Sequence, residues 1–174
     1  MIENISNTIT NINKFFARNI VILFIYLMIF VMAIEVLSRY FFGSPTFFAY
    51  DLAWMFYSSF AVLGGAYTLI ENAHVSADVF YKKMSDKKKA IVSIACYLIF
   101  FFPEIIGLTY SSFTMAIKSI KYKETSVYTN WGPSLIPIKI ILFLGITLLL
   151  FQGIVKFAGY VKILMNQEEK KNES

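Results

Sequence analysis

The chain has 174 residues, 57% of them hydrophobic and only 16% charged, with a mean hydropathy of +0.62. A soluble domain carries about a quarter charged residues and just under half apolar ones, so the composition excludes an ordinary water-soluble globule. The net charge of +5 is not a nucleic-acid footprint, because the basic residues sit in loops and tails beside apolar blocks, where they set topology and attract anionic lipid head groups.

In chain order, residues 2–16 come first. Ile2, Ile5, Ile9, Ile12 and Phe16 recur at helical spacing, with Asn, Ser and Thr on the other face. This predicts an amphipathic helix over residues 1–17 lying on the membrane surface. A cleaved signal peptide is not expected, since the basic Lys14 and Arg18 come at the end of this stretch and not ahead of it, and no A-x-A-like site follows the next apolar run.

Four apolar blocks follow, at about 19–42, 47–70, 90–113 and 133–157. Each reaches the roughly 20 residues that a helix needs to cross some 30 Å of hydrocarbon. The expected fold is therefore an all-α membrane protein: a four-helix membrane domain over 18–158 behind the surface helix, then a cytoplasmic tail over 159–174. Gly43-Ser44-Pro45 leaves room only for a tight hairpin between the first two spans. One side of the bilayer collects eleven Lys and Arg and the other five, which places both termini and the 71–89 loop in the cytoplasm. The third helix is expected to run on past the membrane as far as Lys121, as a projection on the outer face.

Ionisable groups inside spans are costly unless paired or solvated. Glu35 and Arg39 stand four apart on the first span with Glu leading, the favourable order for an ion pair. The short hairpin puts Asp51 at a similar depth, so a cluster centred on Arg39 with Glu35 and Asp51 is predicted. Such a cluster either locks the hairpin alone or also meets a partner subunit. Glu104 follows Pro103 in the third span and Lys139 enters the fourth from the same side. Lys139 is the expected partner of Glu104, which is either a helix–helix fastener or a group facing another protein. His74, the one histidine, lies four residues before Asp78, which suits either a local helix-end hydrogen bond or a contact with another subunit.

With one His and one Cys (Cys96) the usual zinc ligands and a bis-histidine haem cannot be assembled, and no cofactor is expected. Ala61, Gly64, Gly65 and Ala66 on the second span, and Gly145 and Gly153 on the fourth, are small residues that allow helices to approach closely. Nucleotide-binding glycine loops, nucleophile elbows and H-E-x-x-H patterns are absent from the sequence. So are the glycine and proline interruptions that build transporter substrate sites. The residues read as an accessory or scaffold subunit, not an enzyme.

Arg39-Tyr40-Phe41-Phe42-Gly43-Ser44-Pro45 followed by Asp51, Leu63-Gly64-Gly65-Ala66, and Glu71-Asn72-Ala73-His74-Val75-Ser76-Ala77-Asp78 carry a resemblance, together with Glu124-Thr125-Ser126, Trp131-Gly132-Pro133 and Pro137. In this order and spacing they resemble the small membrane subunit of tripartite ATP-independent periplasmic (TRAP) transporters, the DctQ family, over about residues 18–155. The chain departs from the family pattern at Asp51, where a glutamate is usual, and at Phe48, near a usual tryptophan. The resemblance implies a scaffold that binds a large permease subunit, which imports organic acids on a sodium gradient from a periplasmic substrate-binding protein. Sialic acid or another sugar acid is the preferred substrate reading, and a C4-dicarboxylate the alternative. Two other readings are a redox-enzyme membrane anchor, opposed by the lack of paired histidines, and a small multidrug exporter. The long inner loop and the asymmetry of charge oppose the exporter.

Overall fold

The computed structural model describes residues 8, 10, 16–70 and 85–172. Most of the stretch expected as a surface helix, and His74 and Asp78, lie outside the described residues. A π-helical segment, Phe16–Val21, leads into α1, Ile22–Phe41; α2 is Ala49–Ile70. Next come α3, Asp86–Cys96, a second π-helical segment, Tyr97–Phe101, and α4, Phe102–Tyr122; α5 is Ile136–Asn172.

Local chemistry sets the boundaries. At the end of α1 the N–H groups of Phe42 and Ser44 both donate to the Ser38 carbonyl, each at 3.2 Å. Gly43 takes φ +62°, the left-handed position that closes many helices and that glycine occupies without a Cβ penalty. Pro45 then prevents the helix from resuming at once. The helical rod α3–α4 meets Pro103 without breaking. One turn before it the ladder widens to π spacing, and the Phe102 N–H donates to the Tyr97 carbonyl five residues back. Such a bulge re-registers a helix where a proline removes a donor. The rod ends where Lys123 turns left-handed at φ 50°. α5 carries Pro137 in its first turn, where a missing N–H costs nothing. It continues for 37 residues, through most of the stretch expected as a tail.

The helices form an open row. α2 packs against α1 on one side and α5 on the other, and α5 also packs against α3 and α4. α5 is thus the spine, with α1 at one edge and α3–α4 at the other. Close approach in the middle of the row depends on Gly145: a Cβ there would stand 2.6 Å from Val62 Cγ1 and 3.3 Å from Leu63 Cδ2. Gly153 likewise receives the Phe101 ring, and Phe102 packs edge-on against Phe157 at 5.4 Å. Ala61, expected in the packing stripe, is exposed instead; the α2 face that meets α5 runs through Leu63 and Gly65.

Three helices among the described residues are long and apolar enough to cross a membrane: Asn19–Phe41, Lys87–Tyr122 and Ile136–Met165. Of the four expected spans, the one over 47–70 is not among them. α2 nevertheless lies on that block and, at 22 residues, has the length of a span.

Candidate functional site

The polar chemistry of the described residues gathers at one end of the row, where the α1–α2 hairpin meets the loop from α4 to α5. Glu35, on the last turns of α1, is 9% exposed. One of its oxygens accepts from Arg39 Nε at 3.1 Å and Nη2 at 2.5 Å. The other accepts from the Thr46 N–H at 2.8 Å and from the Thr46 hydroxyl. The carboxylate therefore staples the hairpin onto α1, and Arg39, 60% exposed at its side chain, covers it from outside.

Asp51 is fully buried in the first turn of α2. It accepts from Trp54 Nε1 at 3.1 Å, from Ser126 Oγ at 2.5 Å and from the Thr129 hydroxyl. Each of those hydroxyls also accepts a backbone N–H two residues on, Tyr128 and Trp131, both at 3.3 Å. These local turns aim the donors at the carboxylate. The loop itself is pinned by the Ser126 N–H to the Pro133 carbonyl at 2.8 Å and the Leu135 N–H to the Glu124 carbonyl at 2.9 Å. Gly132 sits at φ 55° between them. Rings close the top: Tyr50 and Trp54 against Tyr128, and Phe48 against Trp131, at 6.0, 6.3 and 6.2 Å.

Two expected pairings are corrected. Arg39 is bound to Glu35 as expected from their spacing, but Asp51 is not part of an Arg39 cluster. Its side chain turns to the 123–135 loop, whose hydroxyls supply neutral donors, while Thr46 supplies Glu35's remaining ones. Nor does Lys139 meet Glu104. Lys139, in the first turn of α5, is an ion-pair partner of Glu124, which follows the end of α4 directly, whereas Glu104 lies about 27 Å down the rod from Tyr122 at 1.5 Å per residue. The Lys139 ammonium beside Glu124 holds that carboxyl below its ordinary value.

Glu104 is exposed and makes no hydrogen bond or ion pair among the described residues. The residues that sequence reasoning missed are Thr46, Trp54, Ser126, Thr129 and Glu124. Ser126 and Thr129 are donors that become visible only once the two loops are side by side; Thr46, Trp54 and Glu124 act within their own hairpin, helix and loop. Ser126 and Glu124 did stand in a quoted motif, without a role. Among the described residues no group of three or more His, Cys, Asp and Glu side chains is arranged to hold a metal ion. The arrangement is acceptor carboxylates saturated by hydroxyl, indole, backbone and guanidinium donors, which is chemistry for holding two loops in fixed register.

The sequence model described as "Tripartite ATP-independent periplasmic transporters, DctQ component" matches residues 28–162. That range runs from the middle of α1 into α5 and includes the whole polar end. No curated protein matches the chain significantly. The match covers well over half of the chain, so this protein belongs to the DctQ family, the small membrane component of TRAP transporters.

Proposed function

We propose that the protein is the scaffold subunit of a sodium-driven TRAP importer for organic acids, bound in the inner membrane to a large permease subunit and served by a periplasmic substrate-binding protein. The family match over residues 28–162 carries this reading and replaces the redox-anchor and exporter alternatives. The geometry supports a static role. Both carboxylates at the hairpin end are saturated by donors of the chain itself, so they are not free to bind solute or relay protons. In this reading α2 is a fourth span, shielded by its neighbours in the row, and both termini are cytoplasmic because eleven of the sixteen basic residues fall on that side. The hairpin end then faces the periplasm. Residues 1–17 lie on the membrane surface, and His74 with Asp78 belong to the cytoplasmic loop. Sialic acid is the substrate read first and a C4-dicarboxylate second, with the choice made by the binding protein and the permease.

Affinity purification of the tagged chain in mild detergent tests the role: a polytopic permease should co-purify, and recovery of a lone chain active as an antiporter sinks the reading. Uptake of labelled sialic acid against labelled succinate, by vesicles holding the assembled system with and without a sodium gradient, separates the two substrates.

A further inference from the structure

Glu104 is the one charged residue between Lys89 and Lys118, so each neighbouring charge on its helix is more than about 20 Å away along the axis. Its side chain is exposed and no group of the chain bonds it among the described residues. Hydrocarbon offers a carboxylate neither donors nor counter-charge, and ionisable groups in spans characteristically face another protein surface or a water-filled cavity. The surroundings are not those of a water-filled cavity. At helical spacing on the same face lie Leu108 and Met115, 45% and 56% exposed. The face is also built for close approach. Gly107, where a Cβ would meet nothing within 4 Å, and Ser111 stand four apart, the small-xxx-small spacing that lets two helix backbones come together. α4 is moreover the edge of the row, with its other side held by α5.

We propose that this face of α4, Glu104, Gly107, Leu108, Ser111 and Met115, seats a membrane helix of the permease that presents a basic or amide side chain to Glu104. The proposal rests on the scaffold reading above. Charge selects the occupant. A second copy in the same orientation, packed symmetrically on this face, would set Glu104 against Glu104, with no basic residue of α4 nearer than Lys118.

The test uses the full chain co-expressed with its permease. A benzophenone amino acid replaces Leu108 or Met115, with Ile106 and Ile117, exposed on a different side of α4, as controls. Irradiation should join the permease to positions 108 and 115 and not to 106 and 117. Glu104→Leu should cut co-purified permease about tenfold and Glu104→Gln about threefold, because a buried cation on the partner loses all or part of its acceptor. The thermal midpoint of the isolated chain should not fall. Failure of 108 and 115 to cross-link, or their capture of a second copy, while the unmodified chain still brings down the permease, overturns this face and leaves the scaffold reading intact. If the unmodified chain brings down no permease, both fall.

Discussion

The hairpin end of the row and the outward face of α4 handle the same problem, a carboxylate on an apolar helix, in opposite ways. Glu35 and Asp51 are buried and each accepts from two or more residues of the chain. Glu104 is exposed and accepts from none among the described residues. A satisfied buried carboxylate fixes the internal register of the fold, and removing it strands several donors at once. An unsatisfied one adds no such tie to the isolated chain, and under the proposal above its partner comes from outside. The contrast separates carboxylates that the fold satisfies from one that the described residues leave exposed, the residue proposed above to attach the chain to a partner.

Substitutions should divide along that line. The largest effect is expected at Asp51→Ala, which leaves the Ser126 and Thr129 hydroxyls and the Trp54 indole without their acceptor; about 3–5 kcal/mol should be lost in detergent unfolding. An undiminished melting temperature would erase the distinction between the two regions. Gly145→Leu should come next, at roughly 1–3 kcal/mol, since the added side chain must displace Val62 and Leu63 at the α2–α5 contact. Arg39→Ala should cost only about 1 kcal/mol, because the guanidinium is largely exposed and Thr46 still donates twice to Glu35. Glu35→Ala should cost more than Arg39→Ala, and the reverse order would show that Arg39, not the carboxylate, organises the hairpin.

A smaller effect concerns pH. The Glu124 carboxyl is lowered from its ordinary 4.5 by Lys139, so the folded state binds its proton less readily than the unfolded one. The stabilisation is present above about pH 4.5 and fades as the pH falls through the lower folded value. Lys139→Met should flatten that part of the acid limb in a melting-temperature series from pH 6 downward. A limb unchanged by the substitution would remove this pair from the ties that hold the 123–135 loop. The smallest effect is expected for Glu104→Leu in the isolated chain, whose melting temperature should stay within error of the parent. A clear fall would mean that Glu104 has a structural role within the chain.

Much of the architecture was legible along the chain because it is local. Apolar blocks of spanning length, the Gly43-Ser44-Pro45 stop and the i, i+4 order of Glu35 and Arg39 involve neighbours in sequence, and the structure places helices at all four blocks. The run of α4 to Tyr122 follows equally from its residues. Pro103 was visible too, although its accommodation by a π-helical turn depends on how the preceding ladder shifts. Glu104 and Lys139 both stand out in the sequence as charges beside apolar spans, yet their pairing with one another fails on depth, a coordinate that hydropathy estimates only to within a few turns.

By itself, then, the sequence determined the helical class, the position of the hairpin and the family, since hydrophobic length, turn chemistry and motif order are properties of short segments. Tertiary structure alone decided which donor serves which carboxylate and that α5, not α2, is the spine of the row. Asp51 meets hydroxyls 75 and 78 positions away, and a contact at that separation depends on how the helices stack. The same stacking leaves Glu104 without a partner among the described residues, and so makes a charge in an apolar helix a candidate point of attachment.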